Sequence, residues 1–142
     1  MFFLHLFLSY IYPVLNRLEK MLHSSLLADR ANQLPDELLY GRAGCLYSLL
    51  YTKQFVGKKI DKHLIASLVK TILESGIRLS NECKKQGYKV PPLMFEWHGS
   101  KYLAAAHGMA GIFYILFKVI KISLLIVFKN SLLMTLSLHI VG

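Results

Sequence analysis

The stretch HGMAGIFYIL, residues 107–116, sets a histidine before a Gly-x-x-Gly pair and then runs into aliphatic and aromatic residues. A helix start leaves its first N–H groups without intrahelical partners. Glycines there let a second backbone approach closely. The same pattern stands 67 residues earlier, where GRAGCLYSL (41–49) aligns with GMAGIFYIL (108–116). Gly41 pairs with Gly108, Ala43 with Ala110, Gly44 with Gly111, Tyr47 with Tyr114 and Leu49 with Leu116. One further helix fits between the two copies. Asp61 is its candidate N-cap, and Leu64, Ile65, Leu68, Val69, Ile72, Leu73 and Ile77 recur at helical spacing on one face. Gly87 supplies the stop. The unit is therefore a glycine-led helix, an amphipathic helix and a loop, followed by a second glycine-led helix. Repeated helix pairs stack into solenoids or close into α/α toroids. The fold expected is all-α, a solenoid or, in the arrangement that suits the glycines, a partial α/α toroid. Its small residues relieve crowding at the ring axis, its glycine-led starts face one side, and His107 looks into the same space.

Outward from this pair the chain reads as helix and loop. Residues 2–27 suggest one helix disturbed at Pro13. Residues 28–40 carry turn chemistry around Leu34-Pro35-Asp36. A short helix follows Gly41 and reaches about Gln54. Residues 88–103, with Pro91-Pro92, Trp97 and Gly99, read as a long irregular loop, and a last helix begins near His107. No strand-like alternation is sustained. Tyr47 and Tyr114 are expected in the core, Trp97 against its loop, and His98 at an exposed or structural position. Lys58, Lys59, Lys84 and Lys85 are expected on a solvated face.

The chain is oily and basic. It is 54% apolar and 18% charged, against ~45–50% and ~25% in an average soluble domain. Its 17 Lys and Arg against 8 Asp and Glu give a formal charge of +9, which favours anionic partners. The basic residues are scattered and not interleaved with aromatics, which argues against nucleic acid. Cys45 and Cys83 form no CxxC or CxxH pattern, so the spacing identifies neither a zinc site nor a disulfide framework. Reduced thiols and a cytosolic setting are the default. The apolar N-terminus lacks the basic start and small-residue exit of a secretory signal; a core helix is expected over residues 1–16, with an anchor as the alternative. From Val119 the chain is apolar on every face, broken by Lys121 and Lys129. It offers no window of ~18 uninterrupted apolar residues for a membrane span. Such an ending suggests an incomplete or alternatively ended version of a longer protein.

Two blocks, LPDELLYGRAGCLYSLLY (34–51) and PLMFEWHGSKYLAAAHGMAGIFYIL (92–116), resemble the eukaryotic LanC-like proteins, relatives of bacterial lanthionine synthetase cyclases. The blocks are long, distinctive and in the family's order. The resemblance is strongest over residues 33–117, which places a partial toroid domain at 1–117 and an apolar, non-family tail at 118–142. It implies a closed α/α toroid in which a zinc ion, held by two cysteines and a histidine late in the chain, binds a thiol. Zinc lowers the thiol pKa so that thiolate prevails at neutral pH. The thiolate, from glutathione, then adds to a dehydroamino acid in a peptide. The resemblance also implies proton transfer by the histidine of the Ala-His-Gly block, here His107, and more weakly an acidic residue at Glu37. Imidazole suits that role because it titrates near the operating pH. Local readings compete: His107 as a locally bonded helix cap, Glu37 as an acid beside a helix dipole.

The zinc-ligand blocks have no counterpart here, and Cys45 stands where the family usually has an aromatic residue. The reading that follows is a truncated LanC-like protein, itself inactive in zinc-dependent glutathione addition, with no metal or cofactor of its own. One alternative is a non-catalytic interaction or regulatory module that binds a homologous protein or an acidic membrane surface. The other is a small helical membrane protein spanning through residues 1–16 and 102–142.

Overall fold

The computed structural model describes residues 34–56 and 60–140, with residues 12–14, 16, 17 and 20 before them. Those isolated N-terminal positions are helical. The rest of the expected N-terminal helix, and the choice between core and anchor there, lie outside the described residues. Three helices carry the fold: α1 (Arg42–Tyr51), α2 (Lys62–Lys85) and α3 (Met109–Ile140). Among the described residues there is no strand, only an isolated bridge between Trp97 and Ser100. The all-α expectation holds.

The repeat seen in the sequence is a repeat of backbone hydrogen bonds. Arg42 N–H donates to Pro35 O at 2.9 Å and Ala43 N–H to Asp36 O at 3.3 Å. At the second helix start, Met109 N–H donates to Tyr102 O at 3.0 Å and Ala110 N–H to Leu103 O at 3.2 Å. Each pair of partners is offset by the same 67 residues. The preceding loop thus satisfies N–H groups that a helix start leaves open, and to do so it must cross the first turn. A Cβ at Gly44 would strike the carbonyl oxygen of Leu38, and one at Gly111 that of Ala105. Glycine is the residue that admits this crossing.

The two loops are tied to each other by Leu38 N–H donating to Ala106 O at 3.1 Å. Farther along, Lys118 Nζ from α3 lies 5.7 Å from the ring centre of Tyr47 on α1 and 5.1 Å from that of Tyr114. Contacts near both starts and again downstream mean that α1 and α3 run side by side in one direction, as consecutive inner helices of an α/α toroid do.

α2 packs against α1. Asp61 caps it by accepting from His63 N–H at 2.9 Å, Lys84 and Lys85 oppose the dipole in its last turn, and Gly87 turns the chain out at φ +86°. Its buried stripe is Leu64, Leu68, Ile72, Gly76, Ser80 and Cys83. Leu46 and Leu49 from α1 and Ile112 and Ile115 from α3 meet that stripe in one core, each contributing roughly 1.5–3 kcal/mol by leaving water.

Three expectations are corrected. Ile77, placed on the apolar face of α2, is 48% exposed. The stripe turns instead to Gly76 and Ser80, because the returning loop lies there: Met94 N–H donates to Gly76 O at 3.0 Å, Ser80 Oγ donates to Pro91 O at 2.6 Å, and the Phe95 ring covers Gly76. Tyr47 and Tyr114, expected in the core, are 40% and 54% exposed; they flank the seam between the parallel helices, where Lys118 lies over them. The helix after Gly41 is α-helical only to Tyr51 and continues as a π-helical turn, Thr52–Val56. α3 runs unbroken past Phe117, and no helix among the described residues is long and apolar enough to cross a membrane.

Gly111→Ala is expected to cost ~1–3 kcal/mol by overpacking the loop crossing, and Ala110→Ser on the exposed side of the same turn less than ~0.5 kcal/mol. Urea denaturation followed by circular dichroism measures both.

Candidate functional site

The crossing loops bring one residue of each block to the same place. Glu37 lies in the turn before α1, and its carboxylate accepts from Leu39 N–H at 3.0 Å and from Tyr40 N–H. The side chain is buried despite its charge, with 1% of the residue exposed. His107, immediately before the Gly108 start, places Nδ1 2.7 Å from Glu37 Oε2. His107 bonds to a partner 70 residues away and is not a purely local cap, while Glu37 also accepts from the turn that leads into α1. A carboxylate already accepting two backbone N–H groups is an acceptor towards the imidazole, so Nδ1 carries the hydrogen and Nε2 the free lone pair.

Aromatic side chains fix the ring plane. Trp97 stacks on His107 with centroids 4.0 Å apart and planes 5° apart. Tyr40 lies 6.1 Å from the imidazole at 17°. Trp97 is presented by a tight turn. Its N–H donates to Ser100 O at 3.0 Å, and Ser100 N–H returns to Trp97 O at 3.1 Å. The two residues between, His98 and Gly99, have φ of 49° and 73°. Two positive φ values in a two-residue loop are the type I′ pattern, for which glycine at the second position is favoured. His98, expected to be exposed or structural, is an exposed member of that turn, edge-on to Trp97 at 4.4 Å.

Beneath the pair, Arg42 and Asp36 form a buried ion pair at 2.7 Å. It fastens the loop to the α1 start. Breaking one side of such a pair leaves a charge that water cannot reach. A cavity of about 600 Å³ opens beside Tyr40 and Trp97, with Arg78 and Glu82 of α2 on its wall. A second, of about 590 Å³, lies between α1 and α3 and is lined by Cys45, Tyr47 and Tyr114. Burial pushes the Cys45 thiol above its ordinary range, partly offset by a backbone hydrogen bond. Cys83 is a buried free thiol on α2. Among the described residues no three His, Cys, Asp or Glu side chains come together as a metal site. The donor set at hand does not fit zinc.

The stack of Trp97 on His107 and the Arg42–Asp36 pair go beyond the sequence expectation, which places Trp97 against its loop. The repeat does relate Tyr40 to His107, 67 residues on, so two ring-bearing residues precede equivalent helix starts, but it holds no sign of Trp97.

A family model described as lanthionine synthetase C-like protein matches residues 6–138, a stretch that runs on past Phe117. Glutathione S-transferase LANCL1 of Danio rerio is 46% identical over 103 residues, which cover 72% of this chain and 24% of that protein. LanC-like protein GCL1 of Arabidopsis thaliana is 35% identical over 81 residues, covering 56% of this chain and 18% of that protein. The chain spans about a quarter or less of the length of these relatives.

Two outcomes are expected from the site as described. Glu37→Gln removes a charged acceptor from two backbone N–H groups and from His107, and should destabilise the chain by roughly 1–3 kcal/mol in chemical denaturation. Because its thiol is pushed up, Cys45 holds less thiolate than a free cysteine at any given pH. Its alkylation by iodoacetamide, read by mass spectrometry, should therefore lag a cysteine peptide at neutral pH and accelerate only at higher pH.

Proposed function

The chain belongs to the lanthionine synthetase C-like family, and from that premise we propose that it carries the proton-transfer side of a thiol-addition site. Glutathione is the thiol and a dehydroamino-acid peptide the electrophile. The observation that carries the reading is the Nδ1–Oε2 contact of 2.7 Å between His107 and Glu37. A carboxylate behind one ring nitrogen orients the imidazole and leaves the other nitrogen to take or give a proton. Support for the thiol comes from the name of the Danio rerio relative, a glutathione S-transferase, and from the family resemblance.

The step is a conjugate addition. The thiolate sulfur bonds to the β-carbon of the dehydroamino acid, and the carbon–carbon π pair moves onto the α-carbon and its carbonyl as an enolate. His107 Nε2, whose lone pair took up the thiol's proton as the thiolate formed, then gives that proton to the α-carbon. A thioether and a neutral imidazole remain. Glu37 holds the ring's charge before the transfer, and Trp97 and Tyr40 keep its plane fixed, so little reorganisation accompanies the proton's departure.

In the family, zinc supplies thiolate at neutral pH. The described residues offer no donor set for it, and no step above runs through it. We therefore assign the chain by itself no turnover in glutathione addition. A cytosolic setting agrees with its two free thiols.

With glutathione and a dehydroalanine peptide, the chain should form thioether at the buffer rate, with or without added zinc, as read by liquid chromatography and mass spectrometry. Zinc-stimulated addition would overturn the inactivity. Long-range proton–nitrogen NMR should show the Nδ1–H tautomer of His107, weakened in Glu37→Gln. The thioether product peptide should shift the His107 ring signals saturably; an unmoved ring would remove the site from this reading.

A further inference from the structure

A third cavity, of about 750 Å³, lies away from the His107–Glu37 pair, between the distal end of α1 with its π-helical turn and the middle of α3. Its size falls within the ~300–1,000 Å³ of small-molecule sites. Its lining divides by chemistry. Leu50, Ile122 and Leu125 supply apolar surface, and Lys53, Lys118 and Lys121 supply positive charge. Among the described residues no acidic side chain lines it.

We propose that this cavity binds a single-chain anionic amphiphile, a long-chain carboxylate whose head meets the three lysines and whose chain lies on the apolar wall. Each half of the lining excludes a simpler ligand. A small inorganic anion makes no use of Leu50, Ile122 and Leu125, and a neutral hydrocarbon makes no use of the three lysines. Lys118 is the best-placed of the three. Its Nζ lies over the faces of Tyr47 and Tyr114, at 5.7 and 5.1 Å from their centres. The rings draw the ammonium towards the helix seam by cation–π attraction, and the rest of the cavity lies alongside. Lysine stems also cover apolar surface while their heads stay in water, so the basic residues extend the wall on which an acyl chain would rest. The composition of this stretch agrees, since no acidic residue occurs anywhere after Glu96. The inference rests on this cavity alone and is independent of the thiol-addition reading.

A fluorescent polyene fatty acid, titrated into the full chain below its micellar concentration, should bind saturably at one site and be displaced by palmitate. Hexadecanol, with the same chain and no charge, should displace it at least tenfold less well, and inorganic phosphate not at all. The double variant Lys118→Glu/Lys121→Glu should weaken binding at least tenfold. Lys84→Glu/Lys85→Glu, which changes net charge equally at the far end of α2, should leave it unchanged. Lys121→Met keeps the stem and removes the charge without reversing it; should the double variant lose its helical circular dichroism, an affinity unchanged in Lys121→Met would overturn the proposal. Equal displacement by hexadecanol would reduce the cavity to an apolar patch, and displacement by phosphate to a simple anion site. Binding only to acidic vesicles and not to monomeric fatty acid would assign the surface to membranes. Each of these three outcomes rejects the amphiphile site.

Discussion

The passage of a loop carbonyl over the first turn of a glycine-led helix is the constraint on which the rest of this chain depends. Leu38 O over Gly44 and Ala105 O over Gly111 are the same contact made twice. In each case it lets the loop cap its own helix start with paired backbone bonds. Once both loops are folded back in this way, they lie close enough for Leu38 N–H to reach Ala106 O. Glu37 and His107 are the immediate neighbours of those two residues. The side-chain contact at the site is thus set by a backbone contact one residue away, itself permitted by missing Cβ atoms.

The buried carboxylate is the costly element in this arrangement. An ionised group away from water needs hydrogen-bond partners to persist. Glu37 has two backbone N–H groups and the His107 ring, and a second acid–base pair, Asp36 with Arg42, is buried next to it. Two adjacent acids, each matched to a different donor, keep like charges from competing for one partner. The apolar core of Leu46, Leu49, Leu64, Leu68, Ile72, Ile112 and Ile115 lies below and fixes the helices from which both loops spring.

Much of this was legible in the sequence. The aligned glycine blocks located both helix starts and their offset, and Asp61 and Gly87 marked the ends of α2. His107 stood out from the glycine block itself, and Glu37 by resemblance to a family. Their bond to each other was not legible, because nothing local in either block specifies which residue of the other loop it will meet; that follows from the register set by Leu38 and Ala106. The stack of Trp97 on His107 was hidden for a similar reason, since it depends on positive φ at both His98 and Gly99. Ile77 misled because periodicity counts apolar residues, whereas α2 buries Gly76 and Ser80 against a returning loop that has no period. Tyr47 and Tyr114 misled because a matched pair of aromatics resembles a core repeat even where both rings line an open seam.

Tyr40 and His107 occupy the same slot in two copies of one backbone arrangement. Such a slot separates architecture from chemistry. Its main chain is fixed by the glycines that follow, so the residue standing in it can differ between copies with no insertion, deletion or change of register. One copy holds a phenol and the other an imidazole; Glu37 meets the first through the Tyr40 main-chain N–H and the second through the His107 ring. The same socket is built twice, and one of the two holds an imidazole bonded to a carboxylate from the other loop.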